Sequence, residues 1–182
     1  MCNSNFDKEL KMNNKNTINI IHYWIYLIIA WSIHNLEETL TMSKWLGLNA
    51  TKFPLKFIPV STLQQSFPTG IIIVTILLIV IPILAIYKKW DNRILGIGLG
   101  IFLVNAMQHI LNSIIFLDYS PGVITAVIIN IPLSIFMIRQ LFKHNLLKNF
   151  SWFHIFVYGA IGFVVSLALI WCVTLLIYYA SI

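Results

Sequence analysis

The densest chemistry in the chain lies in residues 31–41, W-S-I-H-N-L-E-E-T-L-T. His34, Glu37 and Glu38 stand at i, i+3 and i+4, so a helix brings one imidazole and two carboxylates onto a single face. A second polar row, Asn105, His109 and Asn112, is spaced i, i+4 and i+7 and forms one stripe of another candidate helix. Two kinds of chemistry suit this set. In the first, His34, His109 and Glu38 (or Glu37) hold a divalent metal, zinc or iron, and the remaining glutamate acts as general base toward water. In the second there is no metal: Glu38, a full turn from His34, is the main acid/base and His34 its relay. Asn105, Asn112, Asn130, Ser32 and Thr41 are the expected orienting or substrate-binding groups, and Gln108 and Ser113 are further donors and acceptors.

The elements that must carry these residues are set by composition. Hydrophobic residues make up 59% of the 182 and charged residues 10%, outside the balance of a water-soluble domain. Five apolar stretches approach the ~20 residues needed to cross a bilayer, at about 17–40, 68–87, 94–117, 121–141 and 152–180. In lipid every backbone amide must be satisfied within its own segment or in a closed barrel, and no stretch alternates with a period of two. The expected fold is therefore all-α, a polytopic membrane bundle of about five helices over 17–182. Residues 1–16 form a polar tail, and 44–67, where apolar residues, lysines and prolines mix, form an interfacial loop. Two cysteines give no disulfide framework.

Charge sets orientation. Lys8, Lys11, Lys15, Lys88, Lys89, Arg93, Arg139, Lys143 and Lys148 fall on one side of the spans, and Lys44, Lys52 and Lys56 on the other. The positive-inside rule then places the N-terminus in the cytoplasm and the C-terminus outside the cell membrane. These cations lie in short runs between spans and form no continuous basic surface, which excludes nucleic acid as the partner. Counted from Ile20 at about 1.5 Å per residue, His34 stands about 21 Å and Glu38 about 27 Å from the inner boundary, and His109, counted from Ile94, about 22 Å. The two histidines thus share a depth, in the outer half of the bilayer. Titratable groups there are costly unless paired, hydrated or bound to an ion, so they mark a site.

Small residues predict where helices approach: Gly96, Gly98 and Gly100 in the third span, and Gly159, Ala160 and Gly162 in the fifth. H-N-L-E-E at 34–38, with His109 and the Tyr119-Ser120-Pro121-Gly122 turn, resembles the HXXEE family of small membrane proteins over most of residues 20–141. That resemblance implies a site and supplies no reaction. Three functions remain open on the sequence: a membrane-embedded enzyme acting on a lipid or other hydrophobic molecule, a proton or metal-ion transporter or sensor, and a structural or accessory subunit. Self-association is compatible with each.

Overall fold

The structure, a computed structural model, describes residues 4–49 and 58–180, with side chains described for 20–49 and 58–180. The side chains of Lys8, Lys11 and Lys15 lie outside the described residues, as do Lys52 and Lys56. Five long helices follow one another: α1 (Ser4–Asn49), α2 (Val60–Lys88), α3 (Asn92–Phe116), α4 (Val123–Lys143) and α5 (Trp152–Ala180). Among the described residues there is no strand. Four of the five, α2 to α5, are long and apolar enough to cross a membrane. The remaining helix, α1, runs for 46 residues and carries the His34–Thr41 stretch, whose polar side chains lower its hydropathy.

The expected loop at 44–67 is shorter than its composition suggests. Lys44 to Asn49 continue α1, and α2 opens at Val60, so Pro68 lies inside a helix instead of starting one. Membrane helices tolerate such prolines because neighbours re-satisfy the freed carbonyl, and the Gln64 amide, bonded to the Ser43 carbonyl at 2.9 Å, ties this part of α2 to α1. The segment expected as a polar tail is helical from Ser4.

Helix ends follow local chemistry. Asp91 caps α3 by accepting from the Arg93 amide at 2.8 Å. Lys89 and Leu117 close α2 and α3 in the left-handed conformation. Gly122, at φ 85°, opens α4. Within α4, Pro132 lacks the amide hydrogen that an α-helix would place on the carbonyl four residues back. The turn before it widens into a π stretch at Ala126–Asn130. Ala126 and Asn130, at the two ends of that stretch, are both buried.

Two apolar clusters stack along the bundle. One gathers Trp24, Leu27, Leu95, Leu99, Phe102 and Met137 with their neighbours, and the other Met42, Trp45, Leu46, Leu63, Phe67 and Ile71. Along α1 the buried His34 lies between them, so the polar layer is bracketed by apolar packing. The glycines do what their spacing predicts for α3 and α5: a Cβ on Gly159 would stand 2.5 Å from the Gly100 backbone, and one on Gly162 2.5 Å from Ile101. Gly98 instead lies against Leu27 of α1.

Candidate functional site

His34 is fully buried on α1, and its ring is held from two sides. Asn105 Nδ2, which can only donate, lies 2.8 Å from His34 Nε2, and His34 Nδ1 lies 2.8 Å from Thr125 Oγ1. Nε2 therefore accepts and Nδ1 carries the hydrogen, donating it to the threonine of α4. Thr125 in turn donates to the Gly122 carbonyl at 3.2 Å. The ring is thus fixed in one tautomer and one orientation.

His109 of α3 completes a pair with it, the ring centroids 4.8 Å apart at 70°. It is 4% exposed, and neither of its ring nitrogens makes a hydrogen bond among the described residues. The Pro121 carbonyl lies beside the ring without the geometry of a bond. Leaving both nitrogens of a buried imidazole unpaired costs about 1–3 kcal/mol for each group, which makes the ring a candidate ligand. Gly122 is what lets the two histidines meet the turn: a Cβ there would come within 2.8 Å of His34 Cε1 and 3.1 Å of His109 Cε1.

The two glutamates part company. Glu37 is engaged through both oxygens: its Oε1 accepts from the Tyr119 hydroxyl at 2.6 Å and the Ile124 amide at 3.2 Å, and its Oε2 from the Thr125 amide at 2.8 Å. These amides belong to the first turn of α4, where orphan N–H groups and the helix dipole favour a negative charge. Burial, and after it the bond to Glu37, pushes the Tyr119 phenol above its usual range, so it remains a donor. The Tyr119 hydroxyl also reaches Thr41 Oγ1 at 3.2 Å, and Thr41 donates to the Glu37 carbonyl at 2.8 Å. Glu37 is therefore an anchor for α4. The structure shows Glu37, expected as a ligand or general base, accepting from three donors of the α3–α4 turn and the start of α4.

Glu38, half-buried, faces a cavity of about 300 Å³ and enters no hydrogen bond or ion pair among the described residues. Asn105, Gln108, His109 and Asn112 line the same cavity from α3, and Trp31 and Asn35 from α1. The opposite wall is apolar, with Phe67, Ile71 and Val74 of α2 and Phe163, Ile170 and Trp171 of α5. One donor atom each from His34, Glu38 and His109 lies within 4.8 Å of the others. A tetrahedral ion with ligands about 2.1 Å away separates its donors by about 3.4 Å, so ligation would draw the three groups closer than the 4.8 Å within which they stand. The donor set, two imidazoles and a carboxylate, fits zinc or ferrous iron.

Of the groups expected to support the site, Asn105 bonds His34, Asn112 lines the cavity and Thr41 joins the Glu37 network. Ser32 does not belong: its hydroxyl bonds the Ile28 carbonyl of its own helix at 2.8 Å and is absent from the cavity wall. Its position, two residues before His34, turns it about 200° around the helix. Asn130 is fully buried on α4, away from the cavity lining, and neither of its side-chain polar atoms has a partner among the described residues. Ser113 accepts from the Ser120 amide at 3.0 Å and pins the turn. Sequence reasoning missed Thr125 and the anchoring role of Tyr119. The one signal for them was the Y-S-P-G turn opening straight into V-I-T, a helix start whose free amides need an acceptor.

The family model described as "Protein of unknown function with HXXEE motif" matches residues 24–137, a stretch that holds His34, both glutamates, His109 and the α3–α4 turn. The "Uncharacterized protein YrkK" of Bacillus subtilis (strain 168) is 26% identical over 132 residues, which cover 70% of this chain and 80% of that relative. No solved structure matches the chain.

Proposed function

This chain belongs to the HXXEE family, and we propose that it is a membrane-embedded enzyme acting on a lipid or other hydrophobic molecule, with Glu38 as the working carboxylate beside the His34–His109 pair. One observation carries the reading. Of two adjacent glutamates, one is consumed in holding α4 and the other faces a cavity with no partner, next to an imidazole whose nitrogens are also unpaired. A purely structural network would spend its buried polar groups on each other.

The residues fit a divalent metal, zinc or iron, held by His34, Glu38 and His109, which would supply Lewis-acid activation where the cavity meets the polar row. Thr125 would act as the orienting partner of a metal-ligating histidine: it takes the Nδ1 hydrogen, so that Nε2, which here accepts from Asn105, is the nitrogen that could bind the ion. Binding requires Asn105 to release Nε2. The bond that Asn105 makes there favours a second, metal-free form, in which Glu38 passes a proton and the Asn105–His34–Thr125 chain fixes the neighbouring imidazole. Both forms use the same apolar cavity for the substrate. A transport role is less well supported, since the buried stripe of α4 continues from Asn130 and Ser134 into Met137, Ile138 and Leu141. In the same reading the protein lies in the cell membrane, N-terminus in the cytoplasm, with the site toward the outer leaflet.

The test is metal content of protein purified in mild detergent without a metal-affinity tag, wild type beside His34→Ala and His109→Ala. Near-stoichiometric zinc or iron in the wild type, lost in both folded variants, supports the metal form. Absence of metal after repletion removes it and leaves proton transfer by Glu38. Loss of folded protein in Glu38→Gln would sink the catalytic reading altogether.

A further inference from the structure

At the opposite end of the bundle from His34, the α2–α3 turn and the α4–α5 connection enclose a cleft of about 720 Å³ that the proposed reaction does not use. Its rim carries three cations, Lys89, Arg93 and Lys148, against one acid, Asp91. Asp91 is already spent on Arg93, through a two-pronged pair whose side chains are each about half exposed. Asn92, Asn145 and Asn149 add amides to the rim. Beneath them the wall turns apolar with Ile20, Ile21, Ala85, Ile86 and Leu146, and two indoles, Trp24 and Trp90, join the layers.

We propose that this cleft binds an anionic phospholipid, its phosphate held by Lys89 and Lys148 and its acyl chains laid along the Ile20–Ile86 wall. A cationic rim alone would take any anion. The occupant here is a lipid because the apolar wall continues onto helix surfaces that face outward, with Ile21, Ile25, Ile83 and Tyr87 all exposed. Lysines at the end of a long apolar helix sit where headgroup phosphates lie, and tryptophans favour that same layer. Arg93 is held in reserve by Asp91, so the site's charge is below what its residues allow. This site is independent of the His/Glu chemistry, and stands or falls without it.

The test uses the full chain in an uncharged detergent, with tryptophan fluorescence followed during titration with dioleoylphosphatidylglycerol, dioleoylphosphatidylcholine or inorganic phosphate. Saturable binding of the phosphatidylglycerol alone is expected. Lys89→Gln and Lys148→Gln should each weaken it roughly fivefold, the worth of one cation at a membrane surface. Asp91→Asn keeps a helix-capping side chain while freeing Arg93, and should tighten binding by roughly the same factor, a gain that misfolding cannot produce. Equal binding of phosphatidylcholine, saturation by inorganic phosphate, or an Asp91→Asn variant with unchanged affinity would each overturn the proposal.

Discussion

The corner where α1, α3 and α4 meet and the wall that α5 adds to the same cavity are held together in different ways. In the corner, directional bonds do the work: Asn105 and Thr125 fix His34, while Tyr119 and two α4 amides fix Glu37. On the wall, shape does it. Helix α5 approaches α3 through Gly159 against Gly100, and beyond the packed Ile155, Gly159 and Thr174 most of it faces outward. Interhelical bonds in a membrane are coupled and geometrically strict, whereas small-residue packing sets only distance. The corner lies within the stretch matched by the family, and α5 lies beyond it. Under the proposed function, chemistry and substrate fit would therefore be separable, and each side of that comparison can be broken on its own.

The largest effect is expected inside the corner, between adjacent residues. His109→Ala, which also empties the space beside the His34 ring, and Glu38→Gln, whose carboxylate enters no hydrogen bond among the described residues, should each lower metal retention by at least ~100-fold, about 3 kcal/mol, and Glu38→Gln should do so with the fold intact. Glu37→Gln should do the reverse. It replaces a charged acceptor serving three donors, so a loss of about 2–3 kcal/mol in unfolding free energy is expected, with the metal still bound by the remaining folded protein. Thermal unfolding and metal analysis on the same preparations read both. If the two glutamate variants behave alike, the division of labour between them is wrong.

A somewhat smaller cost, about 2 kcal/mol, is expected for Gly122→Ala. At φ 85° an alanine is strained, and its Cβ would press on His34 Cε1. The strain should appear both as lower stability and as weaker metal binding, because one turn positions both histidines. A variant that loses stability while binding metal as before would show that the turn and the histidine pair are uncoupled.

How much of this was legible beforehand follows from the range of each interaction. The helices, the matching rise that lets His34 meet His109, and the glycines of α3 and α5 as points of approach come from hydropathy, rise per residue and residue size, which are local properties; that Gly100 meets Gly159 does not. The split between Glu37 and Glu38 was not legible. It depends on a 100° rotation between neighbours and on an α4 start more than eighty positions away, which no spacing rule specifies. Likewise Pro68 read as a helix start, because the rule that stops helices at proline weakens where neighbouring helices supply the missing partner.

The smallest effect is expected on the α5 wall, and it sharpens the comparison most. Trp171 lines the cavity and packs edge-on against Phe67 of α2, ring centroids 5.0 Å apart. Trp171→Leu shortens that side chain and enlarges the apolar end of the cavity. Because the residue is only half-buried and lipid tails can fill beside it, stability should fall by about 1 kcal/mol and metal content should not change. What should change is fit. Each added methylene that finds buried space is worth about 0.8 kcal/mol, so a series of linear alcohols of rising chain length should stabilise the variant best at a longer chain than it does the wild type. Thermal shifts measured across the series give that optimum directly. An unmoved optimum would place the substrate elsewhere than against α5; a moved optimum with altered metal binding would join wall and corner into one unit, and the separation argued above would fail.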